Sequence, residues 1–500
     1  MIITQNIKRV KLIAALAAAF IIAALTPACA LHAQQLSAAV KKNDAAAVKK
    51  LLKNGASVRE TDRFDDMPLH FAARNGNAKI AKMLIEYGAD VKAAGFNSAL
   101  PIHMAAAKGD LETVKLLVEK GADINSKDGC YKRNALQWAA VKNHLELMKY
   151  LIEKGAALDD RAIGERTALI EAVDNNFLKG AVLLIEKGAS VNQKDFEGST
   201  PLHFAAWKNL MKIAELLIAH GAEINAKDFA GKTPLQYCAE NGSYEVATML
   251  IKKGALLNEK SAHRQTALHS AADAGHLKLL KLLIENGADV KLVHLNDLFA
   301  SCLGKLKGLD YFKGGDVDKK TLDKLMREDQ KSYTNHIECV KYLISKGADV
   351  NSVYSTCTRV KGKMLPIHVA AANGDIKGMI LLVENGADVN AAAGGSVRPL
   401  YLAAGFGYVE LMKLLIEKGA DVNARTLKGK SPLFAAAEKG YADAVKLLIE
   451  KGADISAANS AGLTPIKAAA DKGHIEVVRL LSLQKAKNTE NINKSENINK

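Results

Sequence analysis

Thr200-Pro201-Leu202-His203-Phe204-Ala205-Ala206-Trp207, a short break at Lys208-Asn209-Leu210, Met211-Lys212-Ile213-Ala214-Glu215-Leu216-Leu217-Ile218-Ala219, and a closing Gly221-Ala222 decide the fold. Thr200 is a good N-cap, because its hydroxyl can accept a bond from the first free backbone N–H groups of a helix. Pro201 suits the first helical position, where a missing N–H costs nothing. Leu202 should face a core, and Ala205 and Ala206 are small enough for a paired helix to come close. Asn209 marks the turn. The run from Met211 to Ala219 is apolar on more than one side, as expected of a helix sandwiched between neighbours. Gly221 then ends it in a left-handed cap. The preceding stretch from Ala189 to Ser199 reads as a polar loop turned by Asp195 and Gly198.

The same pattern recurs along the chain. Gly-Ala pairs begin at Gly55, Gly88, Gly121, Gly155, Gly188, Gly221, Gly254 and Gly287, at steps of 33 or 34 residues, and resume at Gly347, Gly386, Gly419 and Gly452. Of the nine prolines all but Pro27 occupy the second place of the Thr-Pro-Leu-His motif. A fixed period of this length means a stacked array, in which each repeat contacts only its neighbours and no single core has to grow with the chain. The 500 residues are 49% hydrophobic with only 5% aromatics, which suits helices.

Thr-Pro-Leu-His-x-Ala-Ala, followed by runs such as Val445-Lys446-Leu447-Leu448-Ile449-Glu450-Lys451-Gly452-Ala453-Asp454, resembles the ankyrin repeat across roughly residues 36 to 484. The expected fold is an all-α repeat solenoid of about thirteen stacked helix-turn-helix units with hairpin-like loops. The first unit, Leu36 to Ala56, and the last, from Thr464, read as polar caps. In the ninth, Asn296-Asp297-Leu298-Phe299 replaces the motif, and residues 304–335 form an insertion before His336-Ile337-Glu338-Cys339-Val340 resumes the second helix. A short amphipathic helix is expected from about Val317 to Gln330. Removing Lys305 to Thr334 should leave the other repeats folded. The polar stretch 485–500, with Asn491-Ile492-Asn493-Lys494 repeated at its end, is expected to be disordered.

The N-terminus looks like a bacterial secretory signal over residues 1–30. Lys8, Arg9 and Lys11 precede fourteen apolar residues, Leu12 to Leu25, too few to span a bilayer comfortably. Cleavage is expected before Leu31 or before Gln34, and the intact mass of the envelope form checks it; a mass retaining Met1, or a lipid on Cys29, would refute it. No later segment is apolar enough to cross a membrane, so the mature chain should be soluble, exported and periplasmic or secreted. Its removal takes three positive charges and no acid from the formal +15, leaving +12. The excess recurs at helix C-termini, where cations suit the dipole, and reads as a solvated rim; nucleic acid is not expected.

No chemistry emerges. His70, His103, His203, His269 and His368 share the motif's fourth place, and the resemblance implies that each hydrogen-bonds locally to fix its loop. In adjacent repeats they would stand ~8–10 Å apart, whereas zinc bonds are about 2 Å, so no metal or other cofactor is expected. Gly231-Lys232-Thr233 and Gly429-Lys430-Ser431 imitate the end of a phosphate loop, but Ala226 and Ala424 stand where its first glycine belongs. The carboxylates fall mostly at solvated helix ends and loops. Cys130 and Cys357, six repeats and roughly 50–60 Å apart, cannot pair within one chain; Cys238, Cys302 and Cys339 fall at core positions.

The expected role is a non-catalytic, monomeric protein-binding scaffold. A secreted effector that meets a host protein, or a binder of an anionic surface or nucleic acid, are the alternatives. Phe196 and Phe229 occupy one loop-tip position 33 residues apart, and Trp207 follows the Ala205-Ala206 pair between them. Stacking should gather these three into one partner-binding patch with Lys208 at its edge.

Overall fold

The computed structural model describes residues 35–295, 298, 319–352 and 364–498; the signal, Cys302, Cys357 and residues 304–318 of the insertion lie outside these. The chain divides at about residue 238 into two compact bodies, each built of stacked helix pairs. Among the described residues there is no strand, only an isolated bridge between Ala393 and Val397. The expected helical repeat solenoid is the observed fold.

The sixth repeat shows why the sequence folds this way. Its helices are Pro201–Trp207 and Met211–Ala219. Leu202, Ala205, Ala206, Ile213, Ala214 and Leu217 are buried, and burying a side chain such as Leu217 stabilises by roughly 2 kcal/mol. Asn209 turns the chain with φ +56°. Gly221 follows the second helix at φ +87°, with open space where a Cβ would sit. Its requirement for glycine is therefore one of backbone conformation and not of room.

Where it is present, the motif histidine ties its repeat to the next loop. His203 Nδ1 accepts from the Thr200 amide at 3.1 Å and from its hydroxyl at 2.9 Å. A backbone N–H can only donate, so Nε2 carries the proton and donates to the Lys232 carbonyl, 3.1 Å away. His70 and His103 repeat the arrangement on Met67 and Leu100. Burial pushes His203 and His269 down to about 4. At two places the chain uses glutamine instead: Gln236 Oε1 accepts from the Thr233 amide at 2.7 Å, and Gln137 Nε2 donates to the Asp160 carbonyl at 2.8 Å. Histidines at the inter-helix turn work differently. His144, His276 and His474 approach carbonyls at the end of the previous first helix, those of Ala107, Glu240 and Glu438, at 3.2–3.3 Å, and occupy acceptors that a helix C-terminus leaves open.

Two expectations are corrected. The helix placed at Val317 to Gln330 does not stop there: a single helix runs Lys319–Ser345, joining it to the second helix of the ninth repeat. No proline or glycine lies between Lys319 and Ser345 to break it. Tyr333 is buried, and its hydroxyl donates to Asp375, which caps the following repeat by accepting from the Gly378 amide at 2.8 Å. Likewise the polar stretch from 485, expected to be disordered, continues the last helix, Ile475–Ile498. No breaker follows Gly473, and Gln484 Nε2 donates to Asn488 Oδ1 at 2.9 Å.

The safe limit of a deletion moves accordingly. Removing 305–330 should leave the urea midpoint of the remaining repeats nearly unchanged. Extending the cut through Thr334 removes the Tyr333 ring and should cost about 3 kcal/mol, as for other buried aromatics. Circular dichroism in urea separates the two, and identical curves would show that Tyr333 anchors nothing.

Candidate partner-binding surface

The sixth and seventh loops are each folded from within by a buried aspartate. Asp195 Oδ1 accepts from the amides of Glu197 at 3.0 Å and Ser199 at 2.8 Å, and the Asp195 amide donates to the Ser199 carbonyl. The hairpin closes beneath residue 196, which becomes the outermost. Asp228 does the same one repeat later, accepting from the Lys232 amide at 2.7 Å. Adjacent tips are then pinned together: the Phe196 amide donates to the Gly164 carbonyl at 2.7 Å, and the Phe229 amide to the Glu197 carbonyl at 2.9 Å. With their backbones fixed, both rings remain largely exposed, Phe196 at 73% and Phe229, whose ring lies over Gly198, at 74%. Gly198 makes this possible. Its φ is +81°, and a Cβ there would lie 2.7 Å from the Phe229 nitrogen and 2.8 Å from its ring, so any side chain at 198 would push the next tip aside.

Trp207 ends the helix Pro201–Trp207 and is 49% exposed. Its ring lies 6.0 Å from that of Tyr237. The Tyr237 hydroxyl donates to Asp228 Oδ2 at 2.9 Å and lies 3.1 Å from Ser199 Oγ. Tyr237 thus links the tryptophan to the bases of both phenylalanine tips.

Lys208 takes part in an ion network of its own chain. Its ammonium pairs with Asp174, which also accepts from Arg166 at 2.6 Å. Partial burial pushes the Asp174 carboxyl up, but the bonds from Lys208 and Arg166 prevail and hold it below the usual carboxylate range. Arg166 reaches on to Glu171, whose other oxygen accepts from Arg133 at 2.7 Å. Glu171 is 3% exposed, so the expectation that carboxylates lie mostly at solvated positions fails here. The arginines are flanked by rings: Arg133 by Tyr131 and Trp138 at 4.9 and 5.0 Å, Arg166 by Phe204 at 5.0 Å. An ion network thus crosses three repeats, and Lys208 closes one end of it.

The sequence carries a signal for these residues. The place after the motif's histidine or its substitute reads Phe71, Met104, Trp138, Glu171, Phe204 and Tyr237 in successive repeats, a run of large side chains on one helix face. The tips continue the apolar row as well, with Phe64, Phe96, Tyr131 and Ile163 all exposed. Such a surface supplies contact area and fixed charge. Among the described residues no group of histidine, cysteine and carboxylate side chains is arranged to hold a metal ion. Cys238 and Cys339 are buried as expected, and Cys130 is exposed. Thr233 and Ser431 cap helices beginning at Pro234 and Pro432, and Lys430 pairs with Glu438 at 2.8 Å, so the phosphate-loop imitations are parts of the repeat.

The family model for ankyrin repeats in three copies matches residues 36–128, 102–195, 166–228, 202–294, 331–393 and 400–494. The chain belongs to the ankyrin-repeat family. Ankyrin repeats generally mediate protein–protein interaction, and the break in the match between 294 and 331 falls at the ninth repeat. No curated protein matches the chain. Among the described residues no helix is long and apolar enough to cross a membrane.

Proposed function

We propose that this ankyrin-repeat protein is a non-catalytic scaffold, exported to the periplasm or beyond, that grips another protein through Phe196, Phe229 and Trp207. The observation that carries the reading is the exposure of two phenylalanine rings at equivalent tips whose backbones are pinned to their neighbours. Exposed aromatics in register are costly in water unless used, and aromatic anchors dominate binding energy. Lys208 serves the patch indirectly, by holding the end of the Asp174–Arg166 network beneath it.

Replacing Phe196, Trp207 and Phe229 singly by alanine should weaken capture of the partner by about 2 kcal/mol, roughly thirtyfold, at one site or more. Helicity should stay unchanged, because none of the three lies in the buried core. A photo-crosslinking residue at 196 or 229, tested in the envelope fraction, identifies the partner. Unchanged affinity in all three variants would move the surface elsewhere, first to the ninth repeat.

A further inference from the structure

Tyr237 lies under the patch and is buried, yet it reaches the supports of all three aromatic residues. Its ring stands 6.0 Å from that of Trp207 and meets that of His203 edge-on at 5.1 Å. Its hydroxyl donates to Asp228 Oδ2 at 2.9 Å. The phenol oxygen is then left to accept from the Ser199 hydroxyl, 3.1 Å away. Burial pushes the Tyr237 hydroxyl well above its ordinary value, so the proton stays on it. A hydrogen-bond relay with one direction therefore runs from Ser199 in the sixth hairpin, through Tyr237, to Asp228 in the seventh. Ser199 and Asp228 are buried as well.

The relay ends at the base of each tip. Asp228 closes the seventh hairpin under Phe229 by accepting from the Lys232 amide. Ser199 is bonded to Asp195 and so closes the sixth hairpin under Phe196. Ser199 also follows Gly198, over which the Phe229 ring lies. The backbone ties these two tips by the bond from the Phe229 amide to the Glu197 carbonyl. One such bond leaves a pivot. Lys194 reaches across to the Lys227 carbonyl, but on a long, exposed side chain; the relay adds a second, buried point of attachment. The repeat itself does not need it. Phe71, Met104 and Phe204 stand in the same place without a side-chain donor, whereas Trp138 donates from Nε1 to Asp128 Oδ2 at 2.7 Å.

We infer that Tyr237 is a positioning residue of the patch: it meets no partner itself and holds Phe196, Phe229 and Trp207 in the single arrangement that the partner meets. The inference rests on the scaffold reading and names the residue that makes three separate aromatics one site.

Hydrogen–deuterium exchange of the intact mature chain reads the tips without any partner. In Tyr237→Phe the amides of Phe229 and Lys232 should exchange about tenfold faster, because their hairpin opens locally, while those of Tyr131 and Ile163 stay as they were. Tyr237→Trp supplies the donor that Trp138 gives Asp128 and should restore protection. Ser199→Ala cuts the relay at its other end, keeps the tyrosine, and should loosen Phe229 in the same way. With a photo-crosslinking residue at 196, capture of envelope protein should fall about tenfold in Tyr237→Phe, because a loosened site must be ordered on binding, and recover in Tyr237→Trp. Unchanged exchange at Phe229, or loosened tips with undiminished capture, overturns the inference and leaves the scaffold reading standing. So does loss of protection throughout the first body, which would make Tyr237 a core residue only. Failure of the wild-type chain to capture any protein rejects the scaffold reading, and the inference with it.

Discussion

Lowering the pH from 7 to 4 is expected to strip stability from the repeats that carry a motif histidine, on the order of 3 kcal/mol each at His203 and His269. In the folded chain Nδ1 of each must accept a backbone N–H, from Thr200 and Thr266, and the ring is buried. A proton on that nitrogen would break the bond and place a charge in the core. Burial accordingly pushes both rings down to about 4, from an ordinary value of 6.5, so between these limits the unfolded chain binds more protons than the folded one. Stability is complete above pH 6.5, falls as acid is added, and is lost as the pH passes through about 4. His70, His103 and His368 are shifted in the same direction by the same cause. The chain supplies its own control, since Gln137 and Gln236 occupy the same place without titrating. His203→Gln with His269→Gln should leave the urea midpoint at pH 7 nearly unchanged and flatten its decline between pH 6.5 and 4. Parallel declines in both proteins would show that the acid limb belongs to other groups.

Glu171→Gln is expected to cost about 3 kcal/mol, the largest effect of any single charge in the first body. The side chain is almost wholly buried and receives Arg133 on one oxygen and Arg166 on the other. Removing one member of a buried ion group strands the others, which costs more than the group contributes when intact. Here two guanidinium groups lose their shared anion, although both keep some solvent and Arg166 keeps Asp174. The loss should survive added salt, because buried pairs are weakly screened. Urea unfolding at low and high ionic strength reads both statements, and a cost under about 1 kcal/mol would mean that the network is incidental.

These two cases mark what a single sequence discloses. The repeat was legible because its determinants are local: a cap at Thr200, a proline at 201 and a left-handed glycine at 221 each act within one turn of chain. The buried histidines were legible for the same reason, since their partner Thr200 is three residues away. Glu171 was not, because its partners lie 38 and 5 residues off. Nothing in its own neighbourhood distinguishes it from a solvated glutamate; only alignment of the variable place across repeats puts it among Trp138, Phe204 and Tyr237. The fused helix Lys319–Ser345 was missed through a boundary error, an expected break at Gln330 where no residue breaks a helix. For the patch, the tip positions of Phe196 and Phe229 were readable from their spacing, but the pairing of Lys208 with Asp174 was not.

The network from Arg133 to Lys208 also bears on how such a gene can change. Where neighbouring repeats meet only through interchangeable leucines and alanines, an in-frame duplication or loss of one repeat restores the same contacts at the new junction. Between residues 133 and 208 it does not, because Arg133 pairs with Glu171 and Lys208 with Asp174 across repeat boundaries. A copy inserted within that stretch would separate acid from base and bury one of them alone. These three repeats are therefore expected to be inherited as a block, while the array on either side is free to lengthen and shorten around them.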